Sequence, residues 1–351
     1  LVTSLRAIIF AVLTGIVLGF VGTAFYYGMQ TVTAMRLDHP WLILFLPLAG
    51  VLIVWLYHLL HDEKDTGTNL VLSAIHSNEN IPLRMAPLIF IATLLTHLFG
   101  GSAGREGAAL QLGGSIGNSL GKLFHFDEKD QHIMIMCGMS AAFSALFGTP
   151  LAAAVFSMEG VRVGIMHYSA LVPCVIASLT AHGIASACGI APEIFPIASI
   201  PAFTAKNALI IGIFAVLCAL VSILFCTTLH NAERLYKRFF KNPYVRALAG
   251  GLIVIGLTML VGNQTYNGTG MNIITGCMEG KTVFPLAFLL KMVFTAATLG
   301  AGYKGGEIVP TLFIGSTFGT FFASAFGCSI PLCAAVGMGA VFCGVTNSPI
   351  T

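Results

Sequence analysis

The chain has little charge. Of its 351 residues, 9% are Asp, Glu, Lys or Arg, where a soluble domain carries roughly 25%, so too few are available to cover a water-facing surface. It also lacks a strong charge imbalance. A formal net charge of +3 gives none of the basic footprint that nucleic-acid binding requires. Its nine cysteines include no C-x-x-C pair. Most of them, such as Cys137, Cys174, Cys218 and Cys226, lie inside apolar runs, where a thiol behaves as a small hydrophobe and not as a redox group or metal ligand. No cleavable signal peptide is evident either: the apolar run from residue 5 to 20 continues to Tyr26 without a clear cleavage pattern. What is present is 56% hydrophobic residues and a mean hydropathy of +0.89. The expected class is an all-α polytopic membrane protein. The start at Leu1 and the stop just after Pro349 and Ile350 suggest truncation at both ends.

About 20 apolar residues are needed to cross a bilayer. Residues 5–29, 41–60, 83–99 and 168–189 read as spans, as do 209–226 (running on amphipathically towards residue 241), 284–299 and 311–326. Residues 67–76 are too short to cross alone, 107–120 read as a helix shorter than a full crossing, 247–261 as short again, and 332–344 as a closing helix. Such pieces are tolerated at membrane depth only when buried in protein or lining a cavity. Residues 122–132 read as a charged loop, and residues 193–204, rich in proline, as a connection between a first repeat (1–192) and a second (205–351). The cluster Arg234-Leu235-Tyr236-Lys237-Arg238 with Lys241 marks that end as cytoplasmic by the positive-inside rule. His58 and His61 are three residues apart, but two ligands do not make a metal site.

The segment from Gly100 to Gly114 holds Arg105 and Glu106 in a frame of glycines between long apolar runs. An ionisable residue at membrane depth is a functional hypothesis by default. The run after Glu106 reads as a helix start, which places the carboxylate where unpaired N–H groups attract anions. Sliding the chain on itself by about 201 positions lays Glu106 on Glu307, Gly104 on Gly305, and Gly67-Thr68 on Gly268-Thr269. An offset of 199 lays Gly138 on Gly337 and Pro150 on Pro349. Repeats with short, glycine-broken helices in corresponding places point to a midplane site, where half-helix N-termini from both repeats aim at an anion.

On these residues the chain resembles the CLC family of chloride channels and anion/proton antiporters. Gly104-Arg105-Glu106-Gly107 is similar to the family's G-R-E-G-P gate motif up to its last residue. There are three departures. Thr68 stands where the family has the serine of G-S-G-I-P, Ile308 stands where it has the Phe of G-x-F-x-P, and Gly160 stands where proton-coupled members carry an inner glutamate, the preceding acid being kept as Glu159. With Gly305-Gly306-Glu307 before Pro310, they resemble the fluoride-exporting subgroup (CLC-F), although Val309 departs from the Thr often found there.

The resemblance implies an inverted-repeat transporter with broken, re-entrant helices in a bacterial cell membrane, homodimeric and using no cofactor. It exchanges a halide (fluoride, with chloride as the alternative) for protons. It further implies that Glu106 gates and couples, that Glu307 is a second acid or else a helix cap, and that Thr68, Gly104, Arg105, Gly107, Ile308 and Val309 surround the anion. The G-x-G-x-x-G spelling at residues 300–305 lacks a preceding strand, so it is not a dinucleotide fingerprint. An intramembrane enzyme would need a partner for Glu106, and His97 is the one candidate close in sequence.

Overall fold

Proline and short polar side chains set where the helices begin. Pro47, Pro150, Pro243 and Pro331 occupy first-turn positions, where a missing N–H breaks no intrahelical bond. Asp127, Thr204 and Asn242 cap with their side chains, accepting from the amides of Asp130 (2.9 Å), Asn207 (3.2 Å) and Tyr244 (2.9 Å). A computed structural model describes residues 2–60, 71, 81–160, 167–197, 200–202 and 204–351. Among them, the first half forms α1 (Val2–Asp38), α2 (Leu46–Leu59, entered through a 3-10 turn at Pro40–Phe45), α3 (Met85–Leu98), α4 (Glu106–Leu123), α5 (Glu128–Phe147), α6 (Pro150–Glu159) and α7 (Leu171–Ala187, after a 3-10 turn at Tyr168–Ala170). The second half forms α8 (Ala205–Phe239), α9 (Pro243–Val261), α10 (Met271–Met278), α11 (Ala287–Gly300), α12 (Ile308–Phe326) and α13 (Ile330–Thr346).

Residues 122–132 are not all loop. The polar run Asp127 to Gln131 reads as loop by composition, but α5 already begins at Glu128 because Asp127 caps it.

The helices differ in what they face. At 1.5 Å per residue, the 35 residues of α8 reach about 52 Å, against an apolar bilayer core of about 30 Å. Only 28% of its apolar window is buried, against 78% for α12. So α8 faces outward with Leu209, Ile213, Val216, Leu220 and Ile223 exposed, and α12 is enclosed by the bundle. The eight residues of α10 span only about 12 Å and stop inside it.

The two halves pack on one plan. In the first, α1 contacts α3, α4, α5 and α7, and α4 lies along α5. In the second, α8 contacts α11, α12 and α13, and α12 lies along α13; α2 meets its own counterpart α9. Glycine permits both close crossings. A Cβ on Gly113 would strike the Gly138 carbonyl, and one on Gly315 would strike that of Gly337.

Candidate functional site

Two helix N-termini meet at the centre of the bundle. Before α4 and before α12, glycines at matching places take left-handed backbone (Gly100 φ 81°, Gly302 φ 101°), a conformation that side chains disfavour. The chain then runs extended to Gly104 and Gly306. These two exchange a pair of backbone hydrogen bonds, Gly104 N–H to Gly306 O at 2.6 Å and Gly306 N–H to Gly104 O at 2.7 Å, and form an antiparallel bridge. Antiparallel pairing of equivalent residues is what a two-fold axis between them produces, so the repeats are inverted.

The structure corrects the sequence register by one residue. Gly104 is equivalent to Gly306, Arg105 to Glu307 and Glu106 to Ile308, an offset of 202. The same offset relates Thr93 to Thr295, Thr96 to Thr298, Gly100 to Gly302 and Gly113 to Gly315. Glu307 is therefore not the counterpart of Glu106. The Gly305-Gly306 doublet lets the letters align either way, whereas the first helical residue is fixed by geometry: Glu106 opens α4 and Ile308 opens α12.

The carboxylate of Glu106 is fully buried and turns across the axis. Its Oε2 accepts a hydrogen bond from the Val309 amide at 3.2 Å, one of the amides at the α12 N-terminus with no partner inside their own helix. Among the described residues its Oε1 has no hydrogen-bond donor, and the Arg105 Nε lies 3.9 Å from it. The helix dipoles of α4 and α12 both favour negative charge here. The carboxylate thus occupies an anion position at the opposing repeat's helix start, held by one oxygen only.

Most of the sequence-predicted residues are brought together. Gly104, Arg105, Glu106, Gly107, Ile308 and Val309 lie at the paired N-termini; Ile308 and Val309 are buried and supply apolar walls. Thr68 lies outside the described residues. Glu307 stands apart. As the residue before α12 it makes no side-chain cap, so the cap reading is overturned; the side chain is exposed and lies within electrostatic reach of Cys226 and His230 on α8. His97 is turned away from the acid, with Nδ1 on Thr93 O (2.9 Å) and Nε2 on Ala103 O (3.0 Å).

Two contacts escape sequence reading, and the burial of one charged residue escapes with them. Arg105 pairs with Glu193 and lies over the rings of Tyr26 and Phe147, each 5.4 Å away; the pair is 88 residues apart and no local pattern signals it. Glu159 accepts from Ile350 N–H (3.0 Å), Thr351 N–H (3.1 Å) and the Thr351 hydroxyl (2.8 Å), so its oxygens are committed to two amides and a hydroxyl beyond α13. Lys291, the one charged residue within 284–299, is fully buried; a lone charge in an apolar span was the signal available.

An acid at the start of one broken helix, docked on the start of its inverted counterpart, defines an anion-transport protein of the inverted-repeat class. The chain belongs to the voltage gated chloride channel family, whose match covers residues 49–351. It is 34% identical over 345 residues to the chloride/fluoride channel protein of Pseudomonas syringae pv. tomato, covering 96% of this chain and 76% of that one. It is 26% identical to the H(+)/Cl(-) exchange transporter ClcA of Vibrio cholerae, covering 99% of this chain and 81% of the relative. The crystal structure of a CLC-type fluoride/proton antiporter superposes with a TM-score of 0.93 at 35% identity, over 98% of this chain and 87% of the other. A slow cyanobacterial Cl-/H+ antiporter shares the fold, with a TM-score of 0.81 at 20% identity. The chain is a multi-pass integral membrane protein.

Proposed function

We propose that the chain exports fluoride in exchange for protons, with Glu106 as the gate, from two inverted repeats spanning 1–192 and 205–351 joined by 193–204. The observation that carries this reading is the Glu106 carboxylate on the Val309 amide. Ionised, Glu106 competes with a transported anion for the same N–H donors and dipole field. Protonated, it loses that attraction and swings away, so one group binds either a proton or the anion-site donors and couples the two species without metal or ATP. The chain on this reading is a transporter and not an enzyme.

Fluoride is small and tightly hydrated, so its water must be replaced by close donors. The backbone amides of Gly107 and Val309 and the hydroxyl of Thr68 serve that purpose, with Gly104, Arg105 and Ile308 forming the surround. Two further features support fluoride. The fluoride-related relatives stand at 34–35% identity, while the chloride exchangers stand at 20–27%. The inner glutamate position is Gly160, and the retained Glu159 is used up in hydrogen bonds, leaving the exposed Glu307 as the second acid of the proton route. By family resemblance the protein works as a homodimer in a bacterial membrane.

Sealed liposomes read with a fluoride electrode and a chloride electrode test this reading. Fluoride efflux with opposite proton movement and negligible chloride flux is the expected result. Comparable chloride flux refutes fluoride specificity and leaves the chloride reading.

A further inference from the structure

We infer that Lys291 and Arg36, two buried cations beside the loop at Gly268, carry a positive charge that draws the transported anion to the site. The inference rests on the anion-transport reading above.

Lys291 is fully buried on α11 and Arg36 is 6% exposed near the end of α1. The Lys291 ammonium donates to the carbonyls of Tyr266 (3.1 Å) and Gly268 (2.6 Å) and lies 5.2 Å from the Phe313 ring centroid. Arg36 donates to Gln264 Oε1 at 3.3 Å, and among the described residues its Nε has no partner. Among the described residues neither cation has a carboxylate within ion-pair distance. Burying a charge unpaired in a membrane bundle is expensive, so two together call for an anion to offset them.

Packing does not require the lysine. By the offset of 202 its counterpart in the first repeat is Ile89, which is fully buried in an apolar cluster. The same position in the same architecture is filled by a hydrocarbon, so the charge breaks a symmetry that the fold otherwise keeps.

Hydrogen bonds from side chains and backbone join the two cations' surroundings to the anion site. Thr295, one turn after Lys291, meets the Ser102 hydroxyl at 3.1 Å, and Ser102 N–H donates to Thr298 Oγ1 at 3.0 Å. Ser102 lies two residues before Gly104. Gly268 N–H donates to Gly101 O at 3.0 Å, and Phe313 belongs to the second turn of α12. In a water-poor interior the field of such fixed charges is weakly screened and reaches over several residues. Lys291 is a positioning residue that acts through potential, without touching the anion.

The test is the half-saturating fluoride concentration and the maximal rate for wild type, K291Q, K291M and K291R in liposomes. A purely structural tie predicts that K291Q, which keeps two N–H donors, behaves like wild type. The charge account predicts that K291Q and K291M both raise the half-saturating concentration about three- to ten-fold, while K291R stays within about two-fold of wild type. An unchanged value in K291Q overturns the inference. If K291Q does not fold, R36Q carries the test; it is expected to move the same value in the same direction by a smaller factor, and no movement overturns the inference. Should wild type carry chloride instead of fluoride, the fluoride reading fails, and the same variants score the two cations with chloride.

Discussion

The N-termini of α4 and α12 are built alike and used differently. Each follows a left-handed glycine, each pairs its Gly104 or Gly306 with the other, and each helix then crosses a neighbour on glycine. Yet the first residue of α4 is an acid and the first of α12 is Ile308. One repeat supplies the mobile anion and the other supplies the amide that receives it. The same division appears one helix earlier, where Ile89 stands opposite Lys291. Symmetry sets the scaffold, and departures from it set the chemistry.

The largest effect is expected where the two halves differ most. E106Q removes the titrating group and is expected to abolish fluoride/proton exchange in liposomes, read by paired fluoride and pH electrodes. Where the halves agree, matching lesions should have matching consequences. G113A and G315A each push a Cβ into the facing carbonyl of Gly138 or Gly337, and each is expected to lose about 1–3 kcal/mol, seen as similar falls in melting temperature in detergent. A large inequality would show that the crossings are not equivalent.

Smaller effects come from residues outside the paired N-termini. E307Q is expected to slow proton-coupled transport about ten-fold while leaving fluoride affinity nearly unchanged, because Glu307 is exposed whereas the anion position at Glu106 is buried. Titration calorimetry beside a flux assay separates the two. E193Q keeps a hydrogen bond to Arg105 but removes the charge, and a weakened charge-assisted contact of roughly 1 kcal/mol should appear as a several-fold slower flux at unchanged selectivity.

Much of this was readable in the residues. Hydropathy marks most spans, because a bilayer demands long apolar runs, but residues 83–99 carry only the 14-residue α3, while 247–261, which read as short, belong to the 19-residue α9 because Pro243 starts that helix earlier than the apolar run shows. Glu106 stands out because charge is scarce. The start of α5 was hidden by polar composition, although Asp127 with Asp130 three residues later is a capping pattern. The repeat was visible, but its register was not: a glycine doublet matches equally well at two offsets, and only the helix start decides between them. The Arg105–Glu193 pair and the Glu159 hydrogen bonds join residues 88 and about 190 positions apart, beyond any local pattern. Lys291 was legible as a solitary charge, but its partners become identifiable only once the loop at Tyr266–Gly268 is folded over it.

The central claim is that Glu106 and the transported anion compete for the donors at the start of α12. Fluoride binding to wild type and to E106A, titrated calorimetrically at several pH values, addresses it most directly. If the two compete, removing the carboxylate tightens fluoride binding by about ten-fold or more, and wild type binds more tightly as the pH falls and Glu106 is neutralised, a trend that E106A loses. Fluoride affinity that is unchanged or weaker in E106A, with the pH trend intact, would contradict the account.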